Sequence, residues 1–234
     1  MSNILPLVHL GIVDSTQSFL ARHPELGHCG VLADEQTAGR GRGGNSWVAE
    51  RGAGLWLSAR LPKPEILSGI FLQYAMAAVA EVLEPCGVRL GLKWPNDLVA
   101  YREPGASLVK IGGIIGEQKD DYAILGLGLN IFGAPEMPER PIPPASMSSL
   151  GAVSVPKMVD LARAILSAWQ DLGGHRAAFR WPEEGDPIYW EEGSGVCQGW
   201  ESDGRLAVLT ESGQVLLTAG DICGIGIQSL ELRA

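Results

Sequence analysis

Short apolar runs are separated by polar or glycine-rich segments along the first 180 residues, and this pattern predicts a sheet built from several strands. The predicted strands cover residues 7–13, 30–33, 55–61, 88–92, 108–118 and 122–131. Two longer stretches repeat their apolar residues at helical spacing and predict helices at residues 64–84 and 154–179. Pro64 suits the first turn of one helix, and Ser154 suits the cap of the other. We therefore expect a sheet with helices packed against it.

The hydrophobic pattern changes after Trp181-Pro182, where shorter strands with frequent turns begin. Alternating positions predict strands at residues 196–200, 205–210, 215–218 and 222–232. Turn residues separate these strands at Ser202-Asp203-Gly204 and Glu211-Ser212-Gly213. A meander of roughly fifty residues predicts a small β-barrel. We therefore divide the chain into a first domain of residues 1–182 and a second domain of residues 183–234.

The stretch from Glu35 to Trp47 contains four glycines and two arginines within six residues. Such a segment is too flexible for a helix interior and predicts a loop. Glycines expose backbone N–H groups, and guanidinium groups match carboxylate and phosphate oxygens, so an anion is the expected ligand. A solvated connector is the alternative, but apolar segments on both sides favour a loop inside a folded domain. A dinucleotide fingerprint is rejected, because neither a helix directly after the glycines nor the acidic partner is evident.

Three other features carry candidate ligand-binding groups. Asp14-Ser15-Thr16 can cap a helix, and its hydroxyl and N–H groups can equally hold a polar ligand atom. Lys93-Trp94-Pro95-Asn96-Asp97 predicts a strand with a sharp corner, with a hairpin turn and a surface lysine as the alternative. Glycines in residues 108–118 and 122–131 cost packing unless a ligand lies close to the backbone between the two strands. Lys110, beside them, is a second candidate for binding an anion, although a lone lysine is more often solvated.

Composition excludes several classes of function. The 234 residues carry a formal net charge of −9 with a pI near 4.9, which argues against a nucleic-acid partner. No apolar window is long enough to span a membrane and no export signal is evident, so we expect a cytoplasmic protein. The four cysteines and four histidines show no metal-ligand spacing, so no structural metal is predicted. No Ser/His or Cys/His arrangement indicates an enzymic nucleophile.

Together these motifs resemble those of biotin protein ligases. The resemblance rests on Asp14-Ser15-Thr16, Glu35-Gln36, Gly39-Arg40-Gly41-Arg42, Trp47, Lys93-Trp94-Pro95-Asn96-Asp97, Lys110 with Gly112-Gly113, and Gly126-x-Gly128-x-Asn130. Each motif is modest alone, but their order and spacing are specific and extend over nearly the whole chain. The resemblance implies an α+β fold: a mixed sheet backed by helices, of the class II synthetase and biotin ligase type, with a small C-terminal SH3-like β-barrel.

The resemblance also implies roles for individual residues, position by position. Positions that hold biotin in the family are occupied by Ser15, Thr16, Gln17, Gln36, Gly39, Arg40 and Gly113. Positions that bind ATP or the adenylate are occupied by Arg40, Gly41, Arg42, Trp47, Lys110 and Asn130. The residues expected to be catalytic are Arg42, Lys110, Lys93 and Asp97.

The chain departs from the family pattern at three of its residues. Gln17 stands where Asn is common, and Gly43 and Asn45 stand where some members have Arg. Fewer positive charges in the loop are expected to weaken its hold on the nucleotide, or to leave that task to magnesium.

The implied function has two steps: ATP converts biotin to biotinyl-5′-AMP, and the biotinyl group then passes to a specific lysine of a biotin carboxyl carrier protein. The carboxylate and the phosphates repel each other until cations intervene, which gives Arg40, Arg42, Lys110 and substrate-bound Mg²⁺ a chemical role. The expected small molecules are therefore biotin, ATP and Mg²⁺, and the expected macromolecular partner is the carrier protein.

Few residues precede the first strand, so we expect a monofunctional ligase without an N-terminal DNA-binding domain. Neither a nucleic acid nor a membrane is an expected partner, and homodimers are common among relatives. Two alternatives stay open. One is a lipoate or octanoate ligase or transferase, and the other is a non-catalytic sensor that binds biotinyl-AMP.

Overall fold

The computed structural model describes residues 5–63, 69–102, 107–172 and 174–224. Within these residues the chain forms one large mixed sheet, three α-helices and one smaller antiparallel sheet. The strands of the large sheet are β1 (Leu7–Val13), β2 (Gly30–Arg40), β3 (Ser46–Ala49), β4 (Gly54–Pro62), β5 (Gly91–Lys93), β6 (Asp97–Tyr101), β7 (Leu108–Gln118), β8 (Tyr122–Asn130) and β9 (Arg180–Trp181). The helices are α1 (Thr16–Arg22), α2 (Gly69–Leu83) and α3 (Met158–Ala168).

The large sheet has the strand order β1-β2-β4-β8-β7-β6-β5-β9, and β3 pairs with β2 beside this path. The pairs β1/β2 and β5/β9 are parallel, and the other pairs are antiparallel. Side chains of a strand alternate between the two faces of a sheet. On β2, Val31 accordingly packs with Leu20 of α1, whereas Leu32 packs with the cluster that contains α2 and α3. The helices therefore cover both faces of the sheet.

The smaller sheet is formed by the C-terminal part of the chain. Its strands are β10 (Pro187–Trp190), β11 (Gly193–Trp200), β12 (Leu206–Thr210), β13 (Gly213–Leu217) and β14 (Cys223–Gly224). They pair antiparallel in the order β13-β12-β11-β10-β14. The predicted α+β class, with a mixed sheet, helices and a C-terminal β-sheet domain, is confirmed.

Several element boundaries differ from the prediction. The helix predicted at residues 154–179 is observed only over Met158–Ala168. Pro156 disfavours helical geometry at the residue before it, and Ser154 has a φ of 52° and does not cap the helix. The predicted loop from Glu35 is extended strand as far as Arg40, since β1 and β3 supply pairing partners. Strands β6, β9 and β10 were not predicted. The predicted helix start at Pro64 and the strand end at residues 225–232 lie outside the described residues.

Arg60 on β4 fixes the end of α1 although its side chain is almost completely buried. Its guanidinium donates to the carbonyl oxygens of His23, Pro24 and Gly27 at 3.1–3.2 Å and to that of Leu20. A buried cation is tolerated where carbonyl oxygens accept its terminal N–H groups, and the C-terminal end of a helix attracts positive charge. Arg60 thereby holds α1 in place, and with it the residues at the start of α1.

The two sheets are joined at the turn before β12. The carbonyl oxygen of Gly204 accepts hydrogen bonds from Gln73 Nε2 at 2.9 Å and from Trp94 Nε1 at 3.0 Å. The backbone N–H of Ile70 also donates to the carbonyl oxygen of Asp203 at 3.3 Å. The turn of the small sheet therefore docks on α2 and on the corner that follows β5.

A shared hydrophobic cluster surrounds this junction. Trp94, Val99, Leu108 and Trp181 come from the large sheet, and Ile188, Cys197, Leu206, Val208 and Ile222 come from the smaller one. Because apolar surface from both sheets is removed from water in one cluster, separating the sheets would expose it. No helix within the described residues is long and apolar enough to cross a membrane.

We predict that Gly204→Ala destabilises the protein more than Gly185→Ala does. Both glycines have a positive φ, +89° and +93°, so both substitutions carry the same backbone penalty. A Cβ at residue 204 would also collide with the backbone of Gly69 and Ile70, whereas nothing lies within 4 Å of a Cβ at residue 185. Urea denaturation should show an additional loss of about 1–3 kcal/mol for Gly204→Ala. Equal losses would show that the turn is not tightly docked on α2.

Candidate active site

A cavity of about 400 Å³ opens where the start of α1, the β2–β3 hairpin, the corner after β5 and the segment before β14 meet. Of the residues predicted as binding or catalytic, its lining contains Ser15, Thr16, Gln17, Gln36, Arg40, Gly41, Arg42, Trp47, Lys93, Asp97, Lys110, Gly113 and Asn130. Gly39 is not part of the lining. It pairs with Trp47 across the hairpin, and a Cβ on it would collide with the Trp47 carbonyl oxygen.

The polar end of the cavity is built at the N-terminus of α1. Ser15 caps the helix, since its hydroxyl accepts from the Ser18 N–H at 3.4 Å, and it also lines the cavity. The capping and ligand-binding interpretations of Ser15 are therefore compatible. The Gln36 side-chain oxygen accepts from the Thr16 N–H at 2.8 Å and from the Thr16 hydroxyl at 3.1 Å. The Thr16 and Ser58 hydroxyls lie 2.7 Å apart, which extends the network across to β4.

Gln17 lies beside this network but takes no part in its hydrogen bonds. It is 2% exposed and lines the cavity, and neither its Oε1 nor its Nε2 has a hydrogen-bond partner in the part of the chain that the structure describes. A Cβ at Gly126 would lie 2.5 Å from the Gln17 Oε1, so glycine is needed there to make room for the amide.

The glycines of β7 and β8 allow side chains to pack closely against the two strands and do not leave a gap between them. The two strands are directly paired, with Gly113 opposite Gly128, so the predicted ligand cannot lie between them. Instead, the Trp47 ring lies on Gly128, where a Cβ would come within 2.6 Å of the indole nitrogen. Trp47 also packs edge-on against Trp56, with 6.5 Å between the ring centroids. The glycines thus let aromatic and amide side chains form the cavity wall.

Each of three predicted anion-binding cations is held by an acidic side chain. Arg40 pairs with Glu117 at 2.7 Å, and Lys110 pairs with Asp97 at 2.7 Å. Arg42 donates to the Asp221 carboxylate and to the Gly220 carbonyl oxygen, both at 2.8 Å. The Lys110 ammonium also lies 5.5 Å from the centroid of the Trp47 ring. Positive groups from two separate segments, the β2–β3 hairpin and β7, therefore line one cavity.

Lys93 is the most deeply buried charged group of the site. Its side chain is 5% exposed, and its Nζ lies 3.5 Å from the Trp94 carbonyl oxygen and 5.8 Å from the Trp181 ring centroid. Burial lowers the pKa of Lys93 below its ordinary value, and the nearby carboxylates of Asp97 and Asp221 only partly oppose that shift. A lowered pKa increases the fraction of neutral amine at a given pH, so Lys93 is a candidate proton acceptor.

The cavity lining also contains residues that the sequence did not indicate, among them Ser58, Asn96, Arg140, Asp221 and Cys223. Asn96 belongs to the Lys93–Asp97 motif but was not itself predicted as a site residue. Its Nδ2 donates to the Ile114 carbonyl oxygen at 2.6 Å. Asp221 and Cys223 reach the cavity only because the small sheet docks on the large one, and no local pattern marks them. The described residues contain no group of three or more His, Cys, Asp or Glu side chains placed to hold a metal ion.

Comparisons with known proteins give a consistent result. A family model described as the Biotin/lipoate A/B protein ligase family matches residues 12–130. The chain is 30% identical over 217 residues to the biotin-[acetyl-CoA-carboxylase] ligase of Paracoccus denitrificans, covering 84% of this chain and 90% of that protein. It is 27% identical over 220 residues to the protein of the same name from Mycobacterium tuberculosis strain H37Rv, covering 82% of this chain and 77% of that protein.

A solved structure shares the fold. The biotin protein ligase from Aquifex aeolicus in complex with biotin and ATP superposes with a TM-score of 0.74. The two chains are 23% identical, and the match covers 93% of this chain and 97% of that one. The predicted resemblance is confirmed.

We predict that Lys93→Met changes stability in a pH-dependent way. Lys93 loses its proton at a lower pH in the folded chain than in the unfolded chain, whose pKa is about 10.5. Between these two values the unfolded chain binds more protons, so the stability of the unmodified protein rises with pH. The stability advantage of Lys93→Met should therefore be largest below the folded pKa of Lys93 and should shrink as the pH rises towards 10.5.

Urea denaturation across this pH range measures the effect. The exposed Lys157, changed to Met, controls for the general influence of alkaline solution. An advantage of Lys93→Met that stays constant with pH would contradict the burial of a charged amine.

Proposed function

We propose that this chain, which belongs to the Biotin/lipoate A/B protein ligase family, activates biotin with ATP and transfers it to a lysine of a carrier protein. The observation that carries the proposal is the cavity itself. It joins a polar end at Thr16 and Gln36 to a cationic end at Arg42 and Lys110. Biotin has a matching polarity, with a cyclic urea at one end and a carboxylate at the other.

The first step joins the biotin carboxylate to the α-phosphate of ATP. A carboxylate oxygen attacks phosphorus, the bond to the β-phosphate oxygen breaks, and pyrophosphate leaves, which gives biotinyl-5′-AMP. Both reactants are anions, so the cost of bringing them together falls when fixed cations face the reacting oxygens. Arg42 and Lys110 are the groups proposed for this task, with Arg40 beside them.

These cations are held in place before any substrate arrives. Lys110 is oriented by Asp97 and Arg42 by Asp221, so each must exchange or share its carboxylate when a phosphate binds. The side chain of Asp221 is 77% exposed, so water screens the Arg42–Asp221 ion pair. This pair should therefore separate more easily than the Lys110–Asp97 pair. Fixed positions reduce the reorganisation needed in the transition state.

Mg²⁺ fits this site as a companion of ATP rather than as a resident ion. The carboxylates of the lining are those of Asp97 and Asp221, and each already faces a cation among the described residues. Mg²⁺ is commonly held by substrate phosphates with one or two carboxylates. When bound, it would neutralise phosphate charge, and Asp97 or Asp221 would be its protein ligand.

The second step transfers the acyl group to an amine. The carrier lysine must lose a proton, its nitrogen then attacks the acyl carbon, and AMP leaves as the amide forms. Asp97 and the buried amine of Lys93 are the groups proposed to receive that proton. Trp47 and Asn130 are proposed to contact the adenylate, and Ser15, Thr16, Gln36 and Gly113 to contact biotin.

Other features stay predictions. These are the division at residues 182 and 183, a cytoplasmic location, a biotin carboxyl carrier protein as partner, the absence of a DNA-binding domain, and homodimer formation.

Substrate-dependent exchange of pyrophosphate into ATP tests the proposed activation step. Biotin with Mg²⁺ should support exchange, and lipoate or octanoate at the same concentration should support far less. Exchange with lipoate alone would favour the lipoate ligase alternative. Biotin binding without exchange or carrier labelling would favour a sensor.

Removal of either cation should slow activation. We predict that Arg42→Ala and Lys110→Ala each reduce biotin-dependent pyrophosphate exchange by roughly 10²-fold, the order expected for a lost charge-stabilising group. Biotin affinity should fall much less, because the urea end keeps its contacts. Arg42→Lys should restore only part of the rate, since an ammonium cannot form the planar two-pronged contact of a guanidinium.

Arg51→Ala is the matched control, because Arg51 lies outside the cavity lining and is 62% exposed. Its rate should equal that of the unmodified protein. If pyrophosphate exchange were unchanged in both Arg42→Ala and Lys110→Ala, the proposed role of the cationic end in the activation step would be wrong.

A further inference from the structure

Arg140 is a cation of the cavity lining that has no acidic partner. The lining contains five basic side chains, those of Arg40, Arg42, Lys93, Lys110 and Arg140. Three of them form ion pairs, and Lys93 is buried with a lowered pKa. Within the described residues, the Arg140 guanidinium forms neither a hydrogen bond nor an ion pair. Arg140 therefore supplies a positive charge to the cavity that no neighbouring carboxylate offsets.

The segment that carries Arg140 is fixed near both of its ends. This segment, residues 131–147, follows β8 and contains five prolines, which restrict its backbone. At its start, the N–H groups of three consecutive residues donate to the carbonyl oxygen of Ala53 at 2.8–3.1 Å. Near its end, the Pro143 carbonyl oxygen accepts from the Lys110 N–H at 2.9 Å. Arg140 precedes Pro143 by three residues, so at most about 11 Å of chain separates it from this contact.

The tip of the β2–β3 hairpin leaves a phosphate-binding contact to be supplied from elsewhere. Arg42 is followed there by three uncharged residues, Gly43, Gly44 and Asn45. Asn45 lines the cavity, so a neutral side chain faces the cavity at this position. Few charges in the hairpin are expected to weaken its hold on a nucleotide. A guanidinium from residues 131–147 lines the same cavity and can restore the missing charge.

We propose that Arg140 binds the β- and γ-phosphates of ATP and the pyrophosphate that they form on leaving. A guanidinium stays protonated and matches two phosphate oxygens with parallel N–H groups. Because no carboxylate competes for Arg140, a phosphate can bind it without separating an ion pair. Arg140 is also exposed while it lines the cavity, which places it at the mouth that pyrophosphate must pass. This inference rests on the proposed function and names a residue that no sequence motif indicated.

The division of tasks among the cations follows from their charge environments. Arg42 and Lys110, each shared with a carboxylate, are proposed for the reacting carboxylate and α-phosphate. The β- and γ-phosphates gain negative charge as the bond to the α-phosphate breaks, and an unpaired cation stabilises that charge. Pyrophosphate takes no part in the transfer of biotin to the carrier lysine. Arg140 should therefore act in the activation step alone.

Arg140→Gln tests the proposal, because Gln removes the charge and keeps a polar side chain at an exposed position. In pyrophosphate exchange with the whole protein, the KM for ATP should rise by roughly tenfold, the order expected for lost hydrogen bonds to a charged group. The KM for pyrophosphate should rise by a similar factor, and the KM for biotin should stay nearly unchanged. Arg140→Lys should give intermediate values, since an ammonium keeps the charge but not the planar fork.

Transfer from prepared biotinyl-5′-AMP to the carrier protein gives a second readout. Its rate should be the same in Arg140→Gln as in the unmodified protein, because the activation step is bypassed. Arg89→Gln is the matched control, since Arg89 is also exposed but lies outside the cavity lining. This control should leave the exchange and the transfer unchanged, because it removes a surface charge away from the cavity.

Four results would overturn the inference. They are an unchanged KM for ATP in Arg140→Gln, an equal rise in the KM for biotin, a transfer step slowed as much as exchange, and an Arg140→Lys variant as impaired as Arg140→Gln. The proposed function fails separately, through absent biotin-dependent exchange in the unmodified protein. Because the inference is tested by comparing variants of an active protein, the two failures are distinguishable.

Discussion

The carbonyl oxygen of Gly204 accepts hydrogen bonds from two buried side chains, and the assembly of the cavity depends on this junction. Gln73 comes from α2 and Trp94 from the corner beside Lys93, so one oxygen of the small sheet is tied to two parts of the large one. The shared cluster around Trp94, Trp181 and Ile222 reinforces the same docking. Once the small sheet is docked, Asp221 stands where it can pair with Arg42 and Cys223 stands in the cavity lining. The C-terminal sheet therefore contributes a wall of the site.

Charge in the cavity is arranged in pairs. Arg40, Arg42 and Lys110 would repel one another if they converged without counter-charges, and Glu117, Asp221 and Asp97 supply these. A phosphate that binds to these cations would compete with the carboxylates and not with water alone, so its net gain in binding energy would be the difference between two ionic contacts. Lys93 stands apart, because burial lowers its pKa and its carboxylate neighbours only partly compensate. The paired cations suit anion binding, whereas the buried amine suits proton transfer.

Local sequence patterns predicted much of the large sheet, because short apolar runs such as those of β7 and β8 are typical of strands buried on both faces. The predictions failed where tertiary contacts or neighbouring residues determine the secondary structure of a segment. Glu35 to Arg40 reads as a glycine-rich loop, yet pairing with β1 and β3 makes it strand. Pro156 moves the start of α3 beyond Ser154.

The motifs also predicted most of the site. Every predicted site residue except Gly39 lies in the cavity lining. Asp221 could not be predicted, since it lies 179 residues from Arg42 and only docking brings them together. The unpaired state of Gln17 likewise appears only in three dimensions. Scanning calorimetry of the ligand-free protein tests most directly whether the two sheets act as one unit. Docking through Gly204 and the shared cluster predicts a single transition whose calorimetric and van't Hoff enthalpies agree. Two separate transitions, with the small sheet melting first, would contradict the account.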